Sequence, residues 1–198
     1  FGRESPTMVT SRPRDAATIV LLRLDGERPR VLLGRRPSSD QWADAYVFPG
    51  GRVDPVDCRV RPATELRPHV DRCLQRAASP ARARALGIAA IRELMEETGL
   101  LLGKAAGSLA GRSRDWLPFS EEGLAPALDQ LDLLCRAVTP PYRRKRFNAR
   151  FFVAPAEAVS GTLAVALVPG SKAAALATME LTPLRPEAVG TDPTLCTA

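Results

Sequence analysis

With 198 residues, 45% of them hydrophobic, the chain has room for one domain with a sizeable buried core. No stretch approaches the roughly 18 apolar residues of a membrane span and the opening residues lack a secretion signal's apolar run, so no membrane partner and a cytoplasmic location are expected. The net charge of +6 is carried almost wholly by arginine, only Lys104, Lys145 and Lys172 being lysines; positive charge without a motif does not mark a nucleic-acid surface, and no nucleic-acid partner is expected.

His69 is the single histidine, so a His-rich metal site or a Ser-His-Asp triad has almost nothing to be built from. Cys58, Cys73, Cys135 and Cys196 show no Cys-x-x-Cys spacing, which leaves buried or free thiols rather than a zinc site or a redox pair.

Residues 1–14 are expected to be a poorly ordered N-terminal segment or a remnant of expression, and 15–198 a single domain. Ala16 to Leu22 is a short apolar run rich in β-branched residues and Val31-Leu32-Leu33 is another, with Asp25-Gly26 between them as a turn signal, so a strand pair is expected. Tyr46-Val47-Phe48 is a third strand candidate, stopped by Pro49-Gly50-Gly51. From Asp54 to Ser79 the chain is polar and carries Pro55, Pro62 and Pro68, which predicts an excursion with one short helix around Val70 to Ala77. Ser79 suits an N-cap, Pro80 the first helical position and Gly99 the exit, bracketing a helix from Pro80 to Thr98. A strand near Trp116-Leu117, a helical or irregular stretch through Leu124 to Leu134, and a strand at Arg150 to Ala154 follow. Near the end, Ala173 to Ala177 is helix-friendly, and Pro183, Pro186 and Pro193 interrupt what comes after.

In the long helix, Ile88, Ile91, Leu94 and Met95 form one apolar stripe, while Glu93, Glu96 and Glu97 fall within an arc of about 100° on the other side. Like charges at this spacing cost roughly 0.2–0.5 kcal/mol per pair, and the helix dipole disfavours anions at this end as well. Arg92 offsets part of that charge, and a hard divalent cation would satisfy all three carboxylates. On spacing alone, a solvated acidic face remains the alternative.

Gly51 and Arg92-Glu93-Leu94-Met95-Glu96-Glu97-Thr98-Gly99-Leu100 together resemble the Nudix box, Gly-x5-Glu-x7-Arg-Glu-U-x-Glu-Glu-x-Gly-U with U aliphatic, and the second half matches at every defined position. Val47-Phe48-Pro49-Gly50-Gly51-Arg52-Val53 is similar to the family's entry to the box, and Leu32-Leu33-Gly34-Arg35-Arg36 to the strand before it. Two departures stand out. The pattern separates its glycine from its arginine by 14 positions, whereas Gly51 and Arg92 are 41 apart, so the box holds 27 extra residues, most of them in an insertion expected at about residues 58–79. Asp57 stands where the pattern has its first glutamate, a residue that mainly supports the loop. The interruption is similar to the branch containing the peroxisomal coenzyme A diphosphatases, as is Arg146-Phe147-Asn148-Ala149-Arg150-Phe151-Phe152, although no Gly-Gln-x-Ser element precedes the Pro-Gly-Gly.

The resemblance implies an α+β fold, an α/β/α sandwich around a mixed β-sheet, and a pyrophosphohydrolase acting on a nucleoside diphosphate derivative. Coenzyme A or its acyl forms are one such substrate; an ADP-sugar or a nucleoside triphosphate is the alternative, and a non-catalytic nucleotide-binding regulator is the alternative outside enzymes. It implies Glu93, Glu96, Glu97 and the Gly51 carbonyl as metal ligands for Mg²⁺, with Mn²⁺ as a substitute. Arg92 would orient the carboxylates, Glu97 would take part in catalysis, and Glu93 is the first choice for general base, with Glu121, Glu122 and Glu157 as loop alternatives. Arg143-Arg144-Lys145-Arg146 is a candidate phosphate contact, and Trp42, Tyr46 and Phe48 are candidates for base stacking or simple packing. Family members are often homodimers, which is carried over by analogy alone.

Overall fold

The computed structural model describes residues 11–24, 29–35, 45–107, 114–161 and the backbone of 175–180. The Asp25-Gly26 turn, Trp42, Cys196 and the prolines after 180 lie outside the described residues.

A mixed sheet forms the centre. Strand β1 (Arg14–Arg23) runs parallel to β8 (Phe147–Pro155), from Arg14 opposite Phe147 to Leu22 opposite Pro155, and β7 (Asp132–Val138) adds antiparallel to β8. On its other edge β1 meets β2 (Arg30–Arg35) only at Leu22 and Arg23, and then pairs with β4 (Gly50–Arg52) through Ala16, Ala17 and Thr18. Strand β3 (Tyr46–Val47) pairs with the far end of β2, so the short segment 46–52 fills the gap where β1 and β2 diverge. The backbone strand β9 (Ala175–Glu180) takes the outer edge of β2 along its full length. Alanine-rich sequence around Ala173 to Ala177 favours helix locally; the pairing with β2 overrides that preference, so from Ala175 onward the expected helix is a strand.

Alternation along β1 divides the apolar residues between two faces. Ala17, Ile19 and Leu21 join Leu32, Phe152 and the long helix in the main core, whereas Val20, Val31 and Leu33 form a smaller cluster with Phe48 and Val153 on the other face. Phe48 therefore serves packing, and Tyr46 is 57% exposed.

The long helix α2 (Pro80–Thr98) has the predicted ends. Ser79 is extended and its Oγ accepts from the Arg82 N–H at 3.4 Å, and Gly99 leaves the helix at φ 76°, a left-handed conformation open to glycine. Its packing differs from the expectation of one buried stripe: every residue from Ala85 to Met95 is buried, Arg92 and Glu93 included. The sheet, the inserted excursion and the segment after it enclose the helix, so its charged residues need partners inside the protein.

The excursion carries a short helix α1 (Pro68–Gln75), whose Val70 and Leu74 enter the core. It is fastened to the chain around β7 by Ala63 N–H to Pro126 O at 2.8 Å, by Thr64 Oγ1 to Asp129 at 2.6 Å, and by Arg67 and His69 to Asp132. Two expectations after α2 are overturned. Trp116-Leu117 is not a strand: Trp116 ends a short 3-10 turn, and α3 (Leu117–Glu121) follows with Pro118 in its first turn. The Trp116 and Phe119 rings, 5.2 Å apart between centroids, are fully buried, which accounts for the apolar signal. Leu124 to Leu134, expected to be helical or irregular, is not an α-helix and is more ordered than an irregular stretch; it holds β6 (Leu124–Pro126), paired with β5 (Gly103–Ala105), then a 3-10 turn and the start of β7. Among the described residues, Cys58, Cys73 and Cys135 are exposed free thiols, and no helix is long and apolar enough to cross a membrane, which does not bear on strands.

Candidate active site

The site is organised around Arg92. Its side chain, 7% exposed, enters from α2 and donates Nε to Asp57 Oδ1 at 2.8 Å and Nη2 to Asp57 Oδ2 at 3.1 Å, a fork-to-carboxylate match that lysine could not make. Nη2 also donates to the Arg52 carbonyl at 3.0 Å, which fixes the end of β4 against the helix. Nη1 donates to Glu93 Oε1 at 3.1 Å and to Glu96 Oε1 at 3.0 Å. One guanidinium thus binds three carboxylates and one carbonyl.

Asp57 is the residue whose importance the sequence understated. It begins a 3-10 turn (Asp57–Arg59), is 1% exposed, and accepts from the Asp54 N–H at 2.7 Å as well as from Arg92. Its place six residues after Gly51 aligns it with the first glutamate of the pattern; the bond to Arg92 is what the sequence did not disclose. Burial pushes the Asp57 carboxyl above its ordinary value, and the hydrogen bonds and charge of Arg92 offset only part of that rise. Burial also works against the Arg92 charge, but Asp57, then Glu93 and Glu96, outweigh it and hold the guanidinium above its usual range.

Strand β4 brings the glycines to the helix. In register with Ala17, Gly51 faces α2, and a Cβ there would fall inside the Glu93 carboxylate, so the missing side chain is what admits Glu93. The Gly50 N–H donates to Glu97 Oε2 at 3.3 Å. Gly51, Arg92, Glu93, Glu96 and Glu97, separated in sequence, are therefore brought together, whereas Glu121, Glu122 and Glu157 are exposed and outside this network. A cavity of about 550 Å³ lies against Arg92, Arg52 and Asp54.

Whether this set suits a hard cation is a question of donor chemistry. The donors are all oxygens, the glycine pair leaves room for carboxylates beside backbone, and Mg²⁺ is ordinarily held by one or two carboxylates with water completing its shell. Among the described residues no three acidic, His or Cys side chains already form a tight cage; Glu93 and Glu96 are turned to Arg92 and Glu97 to Gly50.

Comparison with known proteins agrees with the geometry. The sequence matches the NUDIX domain over residues 12–187. The chain belongs to the NUDIX domain family. Its fold is similar to that of a NUDIX hydrolase from Alicyclobacillus acidocaldarius, at 26% identity and a TM-score of 0.61 over 86% of this chain and 80% of that one. A MutT NUDIX hydrolase from Burkholderia pseudomallei is also similar, at 21% identity and a TM-score of 0.46, covering 89% of this chain and 93% of that one. No curated protein gives a match. As a Nudix hydrolase the chain is a pyrophosphohydrolase, and family members generally use divalent metals.

Proposed function

We propose that this Nudix hydrolase cleaves the diphosphate linkage of a nucleoside diphosphate joined to another moiety, with Mg²⁺, or Mn²⁺ in its place, held by Glu93, Glu96, Glu97 and the Gly51 carbonyl. The observation that carries it is the Arg92 guanidinium, which gathers Glu93 and Glu96 on Nη1 beside the glycine pair that takes Glu93 and Glu97. Bound there, the cation would neutralise diphosphate charge and lower the pKa of an attacking water.

The chain's own residues do the rest. Arg92 positions carboxylates and does not touch substrate, because Asp57 and the Arg52 carbonyl already fill its other donors. Asp57 holds Arg92 in place and so anchors the helix to the loop that follows β4. Glu93, 3% exposed and packed against Gly51, is the first choice to accept a proton from water.

Coenzyme A or an acyl derivative is the first substrate to try, because the interruption falls after the first acidic position of the box and because the Arg146 to Phe152 segment resembles that branch. The test is a panel of coenzyme A, acyl-coenzyme A, ADP-ribose, dinucleoside polyphosphates and nucleoside triphosphates, each incubated with and without Mg²⁺ and analysed by chromatography. Metal-dependent cleavage at a diphosphate is the expected result. Nucleotide binding with no cleavage of any of them would replace the enzyme by a binding module.

A further inference from the structure

Beside the box lies a second cleft with a different composition. About 520 Å³ in volume, it is lined by Arg12 just before β1 and Arg14 at its start, Arg52 from the end of β4, and Arg144, Lys145 and Arg146 from the turn before β8. No carboxylate lines it. Strand register explains the convergence. Arg14 is opposite Phe147 and Ala16 is opposite Arg52, so three chain segments remote in sequence place their basic residues along one edge of the sheet.

The turn is held there by backbone, not by opposite charge. Arg146 spends Nε on the Thr139 carbonyl at 3.1 Å and Nη1 on the Ser11 carbonyl at 2.8 Å, Arg14 N–H donates to the Arg146 carbonyl at 2.9 Å, and Ser11 Oγ donates to the Arg144 carbonyl at 3.2 Å. Among the described residues, Arg12, Arg14, Arg52, Arg144 and Lys145 make no ion pair, and all five are exposed. The two acids that border the neighbouring cavity do not relieve them: Asp15 is taken by Arg82 and Asn148, and Asp54 accepts from the Val56 N–H at 3.0 Å and makes no ion pair with them among the described residues. Cations converging on one concavity repel each other and raise the local concentration of anions, and arginine forks match phosphate oxygens. Arg52 lines both cavities and follows directly on Gly50-Gly51, about 7 Å along the strand from the glycine that meets Glu97.

We propose that this cleft is a second phosphate-binding site, taking a phosphoryl group additional to the scissile diphosphate. The group is either a phosphomonoester on the same substrate or a free phosphate. The inference deepens the proposed function, but its first test needs neither metal nor turnover.

Binding of inorganic tripolyphosphate to the whole chain is measured by calorimetry in EDTA. Three proteins are compared: wild type, Arg12→Gln/Arg144→Gln, and Arg59→Gln/Arg61→Gln, which loses the same charge on the exposed excursion. The expected result is a Kd at least tenfold weaker in the cleft variant and less than twofold changed in the control. Equal Kd values in all three, or equal weakening in both variants, would overturn the site. The source of the phosphate is separated by kinetics on a diphosphate substrate bearing a phosphomonoester and on the same compound without it. A KM raised at least fivefold by the cleft variant for the first compound alone, with kcat held, assigns the site to the substrate; unchanged KM for both, with tripolyphosphate binding still lost, assigns it to free phosphate. A single-stranded oligonucleotide that binds more tightly than tripolyphosphate and is released by the same variant would overturn a small-ligand site in favour of nucleic acid.

Discussion

Replacing Arg92 with alanine probes the network at its centre. Arg92 gives two donors to an Asp57 that has 0% of its side chain exposed, and the variant leaves that carboxyl with only the Asp54 N–H. Removing one partner of a buried ion pair costs about 3–5 kcal/mol. Protonation limits the damage: neutralising a carboxyl from the ordinary value of 3.8 at pH 7 costs about 1.4 kcal/mol per pH unit, or about 4 kcal/mol in all. At about 2–4 °C per kcal/mol for a chain of this size, the expected fall in Tm is about 6–16 °C at pH 7. The sign of the pH dependence follows from burial. Asp57 is already pushed up in the wild type, and loss of Arg92 pushes it further. A carboxyl whose folded pKa exceeds its unfolded value contributes stability that is complete below the unfolded value and is lost as pH rises through the folded one. The deficit of the variant relative to wild type should therefore shrink as pH falls from about 7 to about 5. Thermal unfolding followed by circular dichroism at several pH values measures both effects, with Arg92→Lys expected in between because it keeps the charge and loses the fork. A deficit under about 3 °C at pH 7, or one that widens in acid, would refute the pairing.

Gly51→Ala places a Cβ inside the Glu93 carboxylate, so it should destabilise by about 1–3 kcal/mol and lower kcat/KM at least about tenfold, read by unfolding and by steady-state kinetics. Ser79→Ala removes the cap of α2 and should cost about 1 kcal/mol with activity retained, because the cap lies a full helix away from Glu97. Burial raises the Asp132 carboxyl, but Arg67 and then His69 outweigh it and hold it low. Its contribution to stability is therefore present above the ordinary aspartate value and lost as pH falls through the lower folded one, so Asp132→Asn should flatten acid unfolding below about pH 4, measured as Tm against pH.

What the sequence disclosed and what it hid follow from the range of the interactions concerned. The ends of α2 depend on Ser79, Pro80 and Gly99, each acting within a turn, and the helix has the expected bounds. Strands β1, β2 and β8 lie where short apolar runs put them. Trp116 misled because its apolar character reports burial in a 3-10 turn rather than a strand, and the run from Leu124 because pairing with β5 and β8 decides its conformation. The acidic face of α2 was legible as a cluster, but not its burial, because the enclosing segments come from elsewhere in the chain. Asp57 was obscured because its partner is 35 residues away across the insertion. The basic run Arg143 to Arg146 was legible as a candidate phosphate contact, but its companions were not: only the register of β1 with β4 and β8 sets Arg12, Arg14 and Arg52 around it.

The central claim is that the box carboxylates hold a divalent cation for diphosphate hydrolysis. The direct measurement is the initial rate on the best substrate of the panel as a function of Mg²⁺, for wild type and for Glu97→Gln. The account predicts a wild-type rate that is abolished by EDTA and saturates with Mg²⁺, and a variant rate lower by at least about tenfold at every concentration, with folding unchanged. Hydrolysis that persists in EDTA, or a Glu97→Gln variant that matches wild type, would contradict it.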